Sequence, residues 1–576
     1  MHKEYKLLRQ IEILCLFGLG AVSVLAVLKT IFFSVDIDES YAICQGYRLV
    51  KGDRLIFDMW EPHQLSAYPV AILMKLFGWV IGGMESVVVY LRICGTLIHL
   101  GLAYGLYRVI RNWVPVRMAL LLAFVHINYL PKWIQTPEFE LMQYWLLLLT
   151  ALCLFTYFRK GKGTILLIVS GVSMVLQALN YPTMILLYPF YMLGVYRMQC
   201  EKKVKLRAAV VTTAAAGVSG LGVLVYLFRG HTLGEICLNL GYILADPSHT
   251  ENSLWKRMGG FAEELLWDGL SLGVVSAGAF LLVILCHKIF RRDLPGKQRL
   301  VIQTGLLTTV CLCIAQIFGC LLQNQNQFYL QERYLYVALL GMIVYRFQKG
   351  KKLTTQVLFW FGSVPAFVSV VASALLTNMT LNVSYTRFFL GCMVTFLLLV
   401  IFYAEEDREK LFWPVGVFVM SLLVCKLVLI RVTGCLPVTM NAGFTRIQSG
   451  PLRDVSILTD FAVAYEANQA LLQEHVTDSD NLFLFGCESM QYVGSGANVA
   501  AASVQGTSVF NDTFLKYFDL HQSKYPTVVA VDKLFPAVQE YHYNPYNYIV
   551  ANWIEQEFPY TEKIETEYMT LYIRRN

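Results

Sequence analysis

Apolar runs of membrane-spanning length recur along most of the chain, separated by short polar stretches. A span needs roughly 20 apolar residues, and runs of about that size fall at 11–33, 84–107, 116–132, 139–158, 163–180, 183–196, 208–228, 270–287, 301–322, 334–347, 353–376, 385–403 and 411–431. The run at 183–196 is the shortest in apolar content. Alternate connecting loops carry the basic residues: Arg108, Arg111 and Arg117; Arg159, Lys160 and Lys162; Arg197 and Lys202 to Arg207; Lys288 to Arg299; Arg346 to Lys352; Arg408 and Lys410. The loops near 181, 323–332 and 377–384 hold no Lys or Arg. By the positive-inside rule this alternation places the N-terminus in the cytoplasm. With about thirteen spans the C-terminal region then lies outside.

From about 433 the pattern changes. Ile457 to Val476 has helical periodicity, Leu482 to Phe485 and Thr527 to Val531 read as strands, and Ile564 to Ile573 as a hairpin. The expected fold is therefore mainly α: a polytopic membrane protein over 1–432, followed by a small α/β extracytoplasmic domain over 433–576. Two outer loops are long. The first, 34–83, is expected to hold helices from Asp38 to Val50 and from near Pro62 to Val80. The second, 229–268, is expected to hold a helix from Phe261 to Trp267.

Composition agrees with this reading. The chain of 576 residues is 56% hydrophobic, 14% aromatic and only 15% charged, which excludes an ordinary soluble enzyme. Its net charge of +7 is accounted for by the cytoplasmic loops, so nucleic acid is not implied as a partner. The 14 cysteines show no paired or metal-ligand spacing. The first apolar run is too long for a signal peptide and reads as a first span.

Chemistry is concentrated in the first outer loop. Asp36, Asp38 and Glu39 follow the first span directly, and Trp60-Glu61-Pro62-His63-Gln64 comes about twenty residues later. Carboxylates at a bilayer edge gain nothing for a span and point to function. A carboxylate here can take a proton from an acceptor hydroxyl. Asp38 and Glu39 diverge by about 100° on a helix, so they do not form a symmetric dyad. Cations for a departing phosphate are sought among Arg92, inside the second span, and Arg333, at the mouth of a later one. Arg92 either pairs with Glu85 or a loop carboxylate or lines the cavity; Arg333 either binds phosphate or pairs with Glu332. Lys132, Lys256 and Arg257 are weaker candidates. His99 and His126 read as hydrogen-bonded core residues, and His63 with His249 as a weak metal pair.

A cytoplasmic N-terminus, one span, then Asp38-Glu39-Ser40-Tyr41 with Gly52-Asp53 further on resembles the GT-C superfamily of membrane glycosyltransferases. The protein O-mannosyltransferases and lipid A aminoarabinose transferases are the branches it is most similar to, in a bacterial-type form. Glu61-Pro62 is similar to that family's glutamate-proline element, and Glu138, opening the fourth span, sits where it often has another acidic residue. The resemblance implies a polyprenyl-phosphate sugar donor, a glycan, lipid or protein acceptor, Asp38 as catalytic base with Glu39 completing the pair, and substrate contacts from Asp36, Glu61, His63, Arg92, Glu138 and Arg333. It leaves a divalent metal open. Tyr41 and His63 stand where the aminoarabinose branch has basic residues. The alternative is a flippase or transporter that moves a lipid-linked solute without chemistry; no internal repeat of the kind transporters show is present.

Overall fold

The structure is a computed structural model that describes residues 2–61, 63–131, 135–244, 253–291, 293–294, 296–323, 334–348, 350–377, 389–406, 412–434, 443–486, 488–504, 511–533 and 547–575. In chain order the helices of the apolar region are α1 (His2–Phe32), α2 (Ile37–Val50), α3 (Ala67–Ile81), α4 (Val87–Ile110), α5 (Val116–Asn128), α6 (Phe139–Lys160), α7 (Thr164–Asn180), α8 (Leu187–Arg197), α9 (Lys202–Phe228), α10 (Leu233–Leu244), α11 (Leu254–Ile289), α12 (Lys297–Gln323), α13 (Tyr334–Phe347), α14 (Leu353–Leu376), α15 (Phe389–Glu406) and α16 (Phe412–Gly434). Each expected apolar run coincides with one of these helices. Six of them are long and apolar enough to cross a membrane, starting from Gln10, Val87, Phe139, Lys202, Leu254 and Leu353; the others are shorter or less apolar, so the count of thirteen spans is not fixed by length.

Two expectations for the loops change. The second helix of the first outer loop starts at Ala67, after a single 3₁₀ turn at Gln64–Ser66, rather than near Pro62; Pro62 itself lies outside the described residues. No separate helix exists at Phe261 to Trp267, because α11 runs unbroken through it. The described helices within 229–268 are α10 and the first turns of α11.

Burial follows position in the bundle. α6 is enclosed on most of its surface, whereas α1 and α9 expose Phe17, Leu25, Val218 and Val225 at its periphery. Apolar surface of this kind is at home in lipid. His99 and His126 are core residues, as expected. Trp145 Nε1 can only donate, so its 2.9 Å bond to His99 Nδ1 leaves the proton on Nε2, which is donated to the carbonyl of His126 at 2.7 Å. His126 Nε2 returns a bond to the carbonyl of His99 at 3.2 Å, and its Nδ1 accepts from Tyr144 Oη at 2.7 Å.

The C-terminal region begins with a hairpin of β1 (Phe444–Arg446) and β2 (Ser456–Leu458). It continues through α17 (Thr459–His475), β3 (Asn481–Phe485), α18 (Met490–Ser495), β4 (Asn498–Val499), α19 (Asn511–Leu520), β5 (Val528–Asp532), α20 (Asn547–Asn552), β6 (Glu562–Glu565) and β7 (Met569–Ile573). The second sheet has the order β4-β3-β5-β7-β6. β3 pairs in parallel with β4 and β5, with Leu482 opposite Val528, and β7 runs antiparallel to β5 and β6. The near-continuous apolar run of β3, buried from Leu482 to Phe485, suits a strand covered on both faces.

Candidate functional site

The first turn of α2 is built by its own acidic residues. Asp36 is the N-cap: it is extended (φ −106°, ψ 146°), and its Oδ1 accepts the backbone N–H of Asp38 at 2.9 Å. Asp38 and Glu39 fall in the first helical turn, where the helix dipole favours anions. Their surroundings differ. Asp38 is half-buried, while Glu39 is 1% exposed and Arg92 3% exposed.

Arg92, from the second turn of α4, grips Glu39 bidentately: Nε donates to Oε1 at 2.8 Å and Nη2 to Oε2 at 2.6 Å. Thr136 Oγ1 adds a 2.6 Å bond to Oε1. The remaining Arg92 donors reach the carbonyls of Thr30, Ile31, Phe33 and Ser34 at 2.6–3.3 Å. Those carbonyls end α1, so one guanidinium ties the close of α1 to the opening of α2. Every Arg92 N–H is thus engaged. Of the two expected roles for Arg92, pairing with a loop carboxylate is the one the geometry fits; the pairing partner is Glu39 rather than Glu85. Glu85 instead accepts the backbone N–H of Gly450 at 3.0 Å and lies 3.6 Å from Arg453 Nη1.

The second polar cluster faces the C-terminal region. Glu61 is 1% exposed. Its Oε2 accepts Gln45 Nε2 at 2.8 Å, and its Oε1 accepts the backbone N–H of Val504. Burial pushes its carboxyl above the usual glutamate range, against the pull of Arg48 and these hydrogen bonds. Beside it, Trp60 donates from its backbone N–H to Ala502 O at 2.9 Å and from Nε1 to Asn239 Oδ1 of α10 at 2.6 Å. Its ring stacks on Tyr242 of α10 with centroids 4.2 Å apart and meets Tyr517 edge-on at 5.1 Å. Trp60 therefore joins three separate pieces of chain.

His63 has φ 63°, a conformation costly for a residue with a Cβ. Its ring is stacked on Phe139 at 4.5 Å and tilted against Tyr181 at 4.0 Å, with Nδ1 3.0 Å from the carbonyl of Asn180. Glu138 is fully buried and caps α6, accepting the backbone N–H groups of Glu140 at 2.8 Å and Leu141 at 2.5 Å. That use is structural, and it anchors the turn bearing Thr136. Arg333, Glu332, Lys132 and His249 lie outside the described residues. Among the described residues, no group of three or more His, Cys, Asp and Glu is arranged to hold a metal.

Sequence reasoning missed two features. Arg48 of α2 is wholly buried, with Nε 2.8 Å from Asp53 Oδ2, and it also binds the carbonyl of Asp58 and the hydroxyl of Tyr517 at 3.3 Å. Lys524 reaches the other oxygen of Asp53. Glu488 sits on the loop after β3, beside Ser40 of α2, and burial raises its carboxyl above the usual range, with Glu39 adding to the rise. The only signal for Arg48 was an arginine one turn before Gly52-Asp53; nothing in the sequence pointed to Glu488.

Away from these loops, α11, α12 and α13 enclose an apolar cavity of about 800 Å³, lined by Leu272, Phe280, Val301, Ile343 and Phe347 with Lys297 at one end. Further up α11, Arg257 donates from Nη1 to the carbonyl of Thr377 at 3.3 Å, while its Nε is buried without a hydrogen-bond partner among the described residues.

No family model matches the chain, and no curated protein matches it. Several solved structures are similar to it at low identity. An oligosaccharyltransferase from Archaeoglobus fulgidus, tethered with an acceptor peptide, is 12% identical with a TM-score of 0.47, over 95% of this chain and 72% of that one. ArnT from Cupriavidus metallidurans, bound to undecaprenyl phosphate, is 10% identical with a TM-score of 0.42, over 97% of both chains. At such identities and TM-scores, function has to be read from the side chains themselves.

Proposed function

We propose that the chain is a membrane glycosyltransferase that moves a sugar from a polyprenyl-phosphate donor to an acceptor hydroxyl at the outer face of the plasma membrane. The observation that carries this reading is the division of labour in the first turn of α2. Asp36 caps the helix, Glu39 is gripped by Arg92 and Thr136, and half-buried Asp38 lies in the same first turn, which these contacts fix in place. Preorganisation of this kind is what a general base needs.

Asp38 would take the acceptor proton as the acceptor oxygen bonds to the anomeric carbon. The sugar–phosphate C–O bond breaks on the opposite face, its electron pair leaving with the polyprenyl phosphate, and the configuration inverts. The apolar cavity between α11, α12 and α13 suits the lipid tail. Arg257, whose Nε–H has no partner among the described residues, and Arg333 are the proposed phosphate ligands, and Arg92 is the residue that holds Glu39. Glu61, His63 and Glu138 shape the walls. A cytoplasmic N-terminus and an outer C-terminal domain over 433–576 complete the arrangement, supported by the charge alternation of the loops.

The test is release of radiolabelled sugar from a panel of polyprenyl-phosphate sugars by the purified protein in nanodiscs, with and without chelator. Asp38→Asn should lower turnover about 10²–10⁴-fold with little loss of stability. Full activity in a correctly inserted Asp38→Asn protein removes the base assignment. Donor binding by wild type with no turnover replaces the reading with a flippase.

A further inference from the structure

α4 carries three glycines, Gly95, Gly101 and Gly105. Glycine inside a helix gives up stability relative to alanine, so what a Cβ would meet at each position is informative. At Gly101 it would meet open space, and at Gly105 a methyl of Leu152 at 3.5 Å, an ordinary contact. At Gly95 it would overlap the carbonyl oxygen of Gln135 and come within 3.4 Å of Pro137 Cδ. A main-chain carbonyl cannot swing aside as the end of a flexible side chain can. Pro137 stiffens the segment further, since its ring fixes its own φ and confines Thr136 to extended conformations. Gly95 is therefore the seat of the 135–138 turn.

Side chains lock the turn into that seat. Gln135 Oε1 is bonded to Thr96 Oγ1 of α4, and Gln135 Nε2 donates to Thr30 Oγ1 and, at 3.2 Å, to the carbonyl of Val27. Gln135 thus spans α4 and α1, the two helices that Arg92 also joins. Next to it, Thr136 is fully buried and gives its hydroxyl to Glu39 Oε1 at 2.6 Å. Arg92 precedes Gly95 by three residues and so lies on the same face of α4. That face fixes both groups that hold the Glu39 carboxylate: Arg92 directly, and Thr136 through the turn that Gly95 admits.

We propose that Gly95 and Thr136 are positioning residues for the transfer step: the turn seated on Gly95 aims the Thr136 hydroxyl at Glu39 and so fixes the helical turn that presents Asp38 to the acceptor. This rests on the glycosyltransferase reading above. The experiment measures kcat and donor KM in nanodiscs with the radiolabelled polyprenyl-phosphate sugar that wild type consumes. Thr136→Val should lower kcat about tenfold, the loss of roughly one hydrogen bond to a charged group. The donor KM should stay unchanged, because the donor's own contacts remain. Thr136→Ser keeps the hydroxyl and should recover most of the rate. Gly95→Ala should lower kcat at least as far, whereas Gly101→Ala in the same helix should match wild type. Once Gly95→Ala has moved the turn, adding Thr136→Val should slow the enzyme little further. Thr136→Ala takes the place of the valine variant if that protein does not insert, and the Thr136 series decides alone if Gly95→Ala does not. A wild-type kcat in Thr136→Val, equal losses in the valine and serine variants, a loss carried by KM, or a double variant as slow as the product of its singles overturns this inference alone. Wild type that consumes no donor overturns it together with the glycosyltransferase reading.

Discussion

Replacing Arg92 by methionine removes a buried guanidinium and leaves the Glu39 carboxylate, 1% exposed, with Thr136 as its one remaining partner of those described above. Breaking a buried pair by deleting one member costs about 3–5 kcal/mol, because the other charge stays behind uncompensated. Four carbonyls at the end of α1 lose their charged donor as well. Glu39→Gln should be milder, about 1.5–3 kcal/mol, since Arg92 keeps those four acceptors. The double variant Arg92→Met/Glu39→Gln has no stranded charge and should cost at least about 1 kcal/mol less than the two singles added together, within the range found for residues in direct contact. Reversible unfolding in mixed micelles of rising SDS fraction, followed by tryptophan fluorescence, measures all three. Singles that add to the double within about 0.5 kcal/mol would refute the idea that this pair acts as one unit.

Two further outcomes test the junction with the outer helices. Trp60→Ala should cost about 3–5 kcal/mol and release α10, since the Tyr242 stack and the Asn239 bond go together; trypsin should then cut at Arg229 or Lys256 faster than in wild type, and equal cutting rates would contradict this. Glu61 has a folded pKa above its unfolded value of about 4.3, so its contribution to stability is complete below that value and is lost as pH rises through the folded pKa. Glu61→Gln should therefore be most destabilising near pH 4 and least so near pH 8, and a cost independent of pH would contradict the assignment.

The helices were legible because a bilayer demands long apolar runs, and α4, α6 and α9 meet that demand without ambiguity. The loops were less so. Phe261 to Trp267 looked like an isolated helix because Glu263, Glu264 and Asp268 interrupt the apolar pattern, yet α11 continues through them. At the site, Asp38 and Glu39 announced themselves by lying together at a bilayer edge. Arg92 announced a need for an anion, but its choice of Glu39 over Glu85 is a matter of tertiary placement 53 residues away. Glu488 gave no signal, since a single glutamate after an apolar strand is ordinary until α2 is packed beside it.

That packing also sets a clock. Tyr47 of α2 donates to Ala497 O across 450 residues of sequence, and Arg48 reaches Tyr517 across 469. At 5–20 residues per second a ribosome needs roughly 20–90 s to make the intervening chain. For that interval α1 to α4 can be threaded into the bilayer, with Arg92 already gripping Glu39, while Arg48 waits for Tyr517 and Glu61 for Val504. The second half of α2 and the turn at Glu61 are thus finished last although they are made almost first, and a ribosome that stalls before Ala497 leaves an inserted but unassembled protein.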